Sequence, residues 1–180
     1  MRAVVVYESM YGNTRTIAEA LGDGLSWVFD TTVVPVDKAT ADLLADADLV
    51  AVGGPTHAHS MSRVATRKAA VDAARDKALT LDASAEGPGL REWFADVAAH
   101  PRAIAVAFDT RVAMPATVTG RAGRGIARRL RRCRFSDVRD AGSFFVDGAG
   151  TAPLLLCACA GLLVLTVYFS RRLPGRRETP

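Results

Sequence analysis

Short runs of β-branched and apolar residues alternate along this chain with stretches whose apolar positions recur every three to four residues. That is the pattern of a parallel sheet buried on both faces by helices. The first run is Ala3 to Tyr7, and Ile17, Ala18, Leu21, Leu25 and Val28 then predict an amphipathic helix over 13–29. Thr31 to Val36 and Asp48 to Gly53 read as the second and third strands, with room between them only for a two-turn helix at 41–47. A longer helix is expected over 61–80. After Gly87-Pro88-Gly89 a helical stripe resumes at Leu90, Trp93, Phe94 and Val97. Ala103 to Phe108 is the fourth strand. Ala122, Ile126, Leu130 and Cys133 line one side of an arginine-rich helix, and Phe135 to Val146 holds a fifth strand interrupted near Ala141-Gly142. Five strands separated by helices predict an α/β fold: a doubly wound five-stranded parallel sheet, order 2-1-3-4-5, with helices on both faces. Ligands of such sheets sit at the carboxyl ends of the strands, which directs attention to the loops after strands one, three and four.

Composition narrows this without altering it. With 180 residues, 49% of them hydrophobic, there is material for one domain with a proper core and a short appendage. Three cysteines, Cys133, Cys157 and Cys159, show no zinc-ligand spacing and no even-numbered framework, so no metal is expected and a reducing compartment is. The N-terminus enters a strand at once, without a secretory pattern, and a cytoplasmic location is expected. The net charge of +4 hides an uneven distribution: residues 1–120 carry 11 Lys/Arg against 15 Asp/Glu, and residues 121–180 carry 12 against 4.

The turn after the first strand reads Glu8-Ser9-Met10-Tyr11-Gly12-Asn13-Thr14. A glycine there lets the backbone come close to a ligand, and the free N–H groups of the new helix favour an anion. Ser9, Asn13, Thr14 and Tyr11 add polar side chains, so the turn predicts a phosphate cradle without a cation. It has neither the Gly-Lys-Ser/Thr of a triphosphate loop nor the G-x-G-x-x-G of a dinucleotide fold, and only Glu8 of a receiver's acidic pair. A plain helix cap is the competing reading.

The loop after the third strand is Gly53-Gly54-Pro55-Thr56-His57-Ala58-His59, and the one after the fourth is Phe108-Asp109-Thr110-Arg111. Taken with Ser-Met-Tyr-Gly-Asn-Thr, they resemble the flavodoxin-like family, its short single-domain bacterial members in particular, from about Ala3 to Leu155. The resemblance implies FMN as cofactor. Ser9, Met10, Tyr11, Gly12, Asn13 and Thr14 would hold its phosphate. Pro55, Thr56, His57, Ala58 and His59 would flank one side of the ring, and Phe108, Asp109, Thr110 and Arg111 the other. Tyr11 replaces the middle Thr of the usual loop. The third loop lacks the tyrosine that often stacks on the ring, which leaves Phe108 or a histidine as candidate. His57 and His59 could equally be plain loop residues, and Asp109 and Arg111 a surface ion pair.

The family further implies an electron carrier working between a reductase and an acceptor protein. A quinone-linked flavin oxidoreductase of the menaquinone-dependent protoporphyrinogen oxidase type, or a flavin-free interaction module, would suit the same scaffold. No nicotinamide fingerprint is present. The arginines of the helix that carries Ala122, Ile126, Leu130 and Cys133 read as a solvated face or a dock for an acidic redox partner, and no nucleic-acid partner is expected. The domain is expected over 1–150. It is followed by an apolar segment at 151–170 and a basic tail at 171–180. Leu154 to Phe169 fits a membrane anchor, a buried last helix or a change of reading frame, so membrane contact through 152–170 is one expectation among three.

Overall fold

A computed structural model describes residues 1–97 and 102–146. In chain order the elements are β1 (Arg2–Tyr7), α1 (Asn13–Ser26), β2 (Asp30–Pro35), a 3-10 turn (Val36–Lys38), α2 (Ala41–Ala45), β3 (Leu49–His57), β4 (Ser60–Met61), α3 (Val64–Asp76), α4 (Leu90–Asp96), β5 (Ile104–Val112), α5 (Ala116–Thr119), α6 (Ala122–Arg132) and β6 (Asp137–Val146). Five strands pair in parallel in the order β2-β1-β3-β5-β6, and β4 adds a short antiparallel partner to β3. Leaving β4 aside, this is the order expected from the sequence.

Period-two alternation divides each strand between two cores. Ala3, Val5 and Tyr7 of β1 face the layer that holds Ile17, Ala18, Leu21 and Leu25 of α1. Val4 and Val6 face the opposite layer, with Leu90, Trp93 and Phe94 of α4 and Ile126 and Leu130 of α6. Each fully buried Leu or Ile contributes roughly 1.5–3 kcal/mol. The Trp93 indole satisfies its N–H on the Ala39 carbonyl at 2.8 Å, which joins α4 to the turn after β2.

β3 and β5 run past their expected ends, Gly53 and Phe108. β3 continues to His57 and folds back through Ala58 and His59 into β4, with both turn residues at positive φ (43° and 71°). Left-handed φ at both central positions makes a primed hairpin turn, which usually employs glycine or asparagine. Met61 therefore belongs to β4, and α3 begins only at Val64. The interruption expected at Ala141-Gly142 is a bulge: the β5–β6 register shifts there and Gly142 has φ 102°.

Among the described residues, no helix is long and apolar enough to cross a membrane, and no group of three or more metal-ligating side chains occurs. The expectations for 151–170 and 171–180, and for Cys157 and Cys159, lie outside the described residues.

Candidate functional site

The carboxyl ends of β1, β3 and β5 converge on an open groove of about 150 Å³. Ser9, Asn13 and Thr14 come from the turn after β1, Thr56 and His57 from β3, and Thr110 and Arg111 from β5. Met10, Tyr11 and Pro55 also border it. Val112 and Val146, which the sequence reading missed, close its far side. Two larger cavities lie elsewhere. One, of about 280 Å³ along α3, is lined by Arg67, Asp72 and Arg75. The other, of about 290 Å³ between α2 and α4, has Asp37, Glu92 and Asp96 at its walls. Neither lies at the strand ends where the sheet changes winding direction.

The turn into α1 is built to leave donors free. Gly12 sits at φ 86°, a left-handed conformation that any other residue would adopt only with strain, and a Cβ there would meet nothing closer than Arg15 Nη2 at 3.7 Å. The buried Ser9 hydroxyl accepts from Gly12 N–H at 3.1 Å and from Arg15 N–H at 3.4 Å. Helix geometry gives the N–H groups of Asn13 and Thr14 no intrahelical acceptor, and no protein atom among the described residues takes them. The Thr14 hydroxyl bonds that of Thr110 at 2.8 Å and so ties the turn to β5. Arg15, unanticipated from the sequence, brings a cation beside the turn. It pairs with buried Asp82 at 3.5 Å and with Glu19 at 3.8 Å. The expected cradle without a cation is corrected in that respect. Tyr11 differs from its expected role, since its hydroxyl donates to the Ala70 carbonyl at 2.9 Å and anchors the turn to α3. Burial raises the pKa of that phenol.

From β3, Pro55, Thr56 and His57 are half-buried, whereas Ala58 and His59 stand exposed on the hairpin turn, away from the groove wall. Burial pulls His57 below the ordinary histidine pKa, against the pull of Glu8 and with that of Arg67. The expectation for β5 needs two corrections. Phe108 is wholly buried on the α1 side of the sheet, edge-on to Phe144 with centroids 6.1 Å apart. Its ring fills the space above Gly53, where a Cβ would come within 2.1 Å of it, so it offers no face to a ligand. Asp109 is equally buried, and its Oδ2 accepts from the Gly123 N–H of α6 at 2.7 Å. It forms no ion pair with Arg111. That guanidinium lies 4.5 Å over the Phe145 ring and donates to the Met114 carbonyl and, at 3.0 Å, to the Thr119 hydroxyl.

Strand-end side chains thus cap distant helices. Thr56 Oγ1 accepts from Ala122 N–H at 3.1 Å, so α6 is held by Thr56 and Asp109 together. Glu8, at the end of β1, accepts from Leu90 N–H at 2.8 Å and caps α4. Arg67, buried beside it, pairs with Glu92 at 3.0 Å. One oxygen of Glu8 and one of Asp109 remain buried without a hydrogen bond.

A family model described as Flavodoxin matches residues 5–84, the stretch that contains the α1 turn and the end of β3. Among solved structures, a flavodoxin from the domain Archaea is 24% identical over 93% of this chain and 99% of its own, with a TM-score of 0.54. A Streptococcus pneumonia TIGR4 flavodoxin is 15% identical over 94% and 99%, with a TM-score of 0.59. Two-electron reduced Megasphaera elsdenii flavodoxin is 15% identical over 91% and 98%, with a TM-score of 0.55. At such identities these likenesses establish the fold. No curated protein matches the sequence. Over residues 5–84 the chain is similar to the flavodoxin family, whose members bind FMN, and its fold is the one those structures share.

The donors on this chain fit that cofactor's phosphate. The open N–H pair at Asn13 and Thr14, the hydroxyls of Ser9 and Thr14, and a groove wall without carboxylates among the described residues make a set that accepts an anion.

Proposed function

We propose that this chain is an FMN-binding electron-transfer protein that carries electrons between a reductase and an acceptor protein. One observation carries the reading: at the strand end where the family holds its phosphate, two N–H groups of the first turn of α1 are left without protein acceptors among the described residues, beside an open groove. Ser9, Gly12, Asn13 and Thr14 would hold the phosphate, with Met10 and Tyr11 fixing the turn against α3. The helix dipole adds about 0.3–1 kcal/mol in favour of a negative group there. Pro55, Thr56 and His57 on one wall, with Thr110 and Arg111 on the other, would orient the ring and keep water from its faces. Ala58 and His59 would border it from the exposed turn. The flavin, once bound, supplies one- and two-electron redox chemistry that no side chain here offers. His57 favours its neutral form and adds little positive charge to the groove at neutral pH. Phe108 and Asp109 act indirectly, by filling the sheet and fixing α6.

A cytoplasmic site of action is in keeping with Cys133, a free, half-buried thiol. The reading is tested by titrating flavin-free protein with FMN while following flavin fluorescence, then reducing the complex and mixing it anaerobically with an oxidised iron–sulfur or haem protein. Stoichiometric binding followed by electron release to the acceptor is expected. Absence of FMN binding refutes the reading, and binding without electron release leaves a flavoprotein that is not a carrier.

A further inference from the structure

Of the large apolar side chains exposed among the described residues, Val112, Met114, Val118 and Phe145 collect at one place. Arg111 holds them together, since its guanidinium lies over the Phe145 ring and reaches both the Met114 carbonyl and Thr119, the residue after Val118. Val112 also lines the groove, so this apolar patch begins at the groove's edge. The surface leading away from it is basic. Between Thr110 and Ser136 there are eight arginines and no aspartate or glutamate, whereas residues 1–97 carry 14 acidic side chains against nine basic ones. On α6, Arg124, Arg128 and Arg132 recur every four residues on the exposed side, while Ile126 and Leu130 are buried on the other. Arg121 is committed to Asp140 at 3.0 Å, but these three form no ion pair among the described residues.

We propose that this surface docks a redox protein with an acidic face: the four apolar side chains form its centre, and the outer arginines of α6 form its rim. The proposal rests on the carrier reading above and adds the chemistry of the partner. Met, Phe and Arg are enriched in protein interfaces, where an apolar centre is dehydrated and a charged rim remains wet. Rim charges act mainly on encounter, which makes association fast and sensitive to salt. A bilayer is the weaker match. Trp27, the exposed aromatic that a lipid interface would recruit, lies just past the last residue of α1, at the opposite edge of the sheet from the groove.

The test uses the full FMN-loaded chain and two redox probes, a plant-type [2Fe–2S] ferredoxin of strongly acidic surface and a basic cytochrome c. Calorimetry at low ionic strength is expected to show ferredoxin binding that weakens at least about tenfold in Arg124→Glu/Arg128→Glu, weakens also in Met114→Ser/Val118→Ser, and is lost at high salt. Cytochrome c is expected not to bind. FMN affinity, measured alongside, is expected to stay within about twofold in both variants, because none of the four side chains enters the turn of α1. The proposal is overturned if ferredoxin binds wild type and charge-reversed protein equally or binds neither, or if cytochrome c is preferred. It is also overturned if vesicles of anionic phospholipid bind the chain through these arginines while ferredoxin does not. Loss of FMN binding in wild type would instead defeat the carrier reading.

Discussion

The turn into α1 and the turn into α6 lie at the same edge of the sheet, and both offer the unpaired N–H groups of a new helix. They use them in opposite ways. At α6 those of Ala122 and Gly123 are taken by Thr56 and Asp109, side chains from two different strands. At α1 the Ser9 hydroxyl takes those of Gly12 and Arg15 and leaves the pair between them open to the groove. A helix N-terminus is therefore a site only where the surrounding strands do not already supply its acceptors. The polar residues at strand ends divide accordingly into those that close helices and those that face ligands.

The largest expected effect comes from opening the turn into α6. Asp109→Ala strands a buried N–H of α6 and should cost about 2 kcal/mol in urea unfolding, with FMN affinity of the folded protein changing much less. An affinity loss as large as the stability loss would mean that Asp109 touches the cofactor and that the contrast is false. Removing the cap of the open turn should show the reverse balance. Ser9→Ala is expected to cost about 1 kcal/mol of stability without ligand and to weaken FMN roughly tenfold, readable by fluorescence titration. Unaltered FMN binding would place the phosphate elsewhere.

The smallest effect is a pH dependence. Burial lowers the His57 pKa in the folded state, so folding expels a proton, and stability is expected to fall as pH drops from about 6.5 through the lower folded value. His57→Gln should flatten that part of the profile in ligand-free protein. An unchanged slope would locate the effect in another group.

The parallel sheet was readable because Val4 to Tyr7, Leu49 to Val52 and their counterparts are apolar on both faces, as only a doubly covered sheet requires. The α1 turn was readable because its signal is local: a glycine, then a helix-starting polar run. What escaped reading was decided by partners distant in the chain. Asp109 looks like any loop carboxylate until Gly123, 14 residues on, is seen to bond it. Phe108 could have faced either side of β5, and its inward placement follows from the register against Gly53 and from the space that glycine leaves. The β3–β4 hairpin escaped because Ala58 and His59 lack the usual composition of a primed turn. Tyr11 replaced an expected hydroxyl donor only in name, since its ring reaches to Ala70 on α3.

The central claim is that the open N–H pair of α1 grips a phosphate, and comparing the dissociation constants of FMN and riboflavin, which differ only in that group, tests it most directly. At physiological pH the account predicts that FMN binds at least about a hundredfold more tightly, the equivalent of two charge-assisted hydrogen bonds of about 1.5 kcal/mol each. Equal affinities for the two would contradict it.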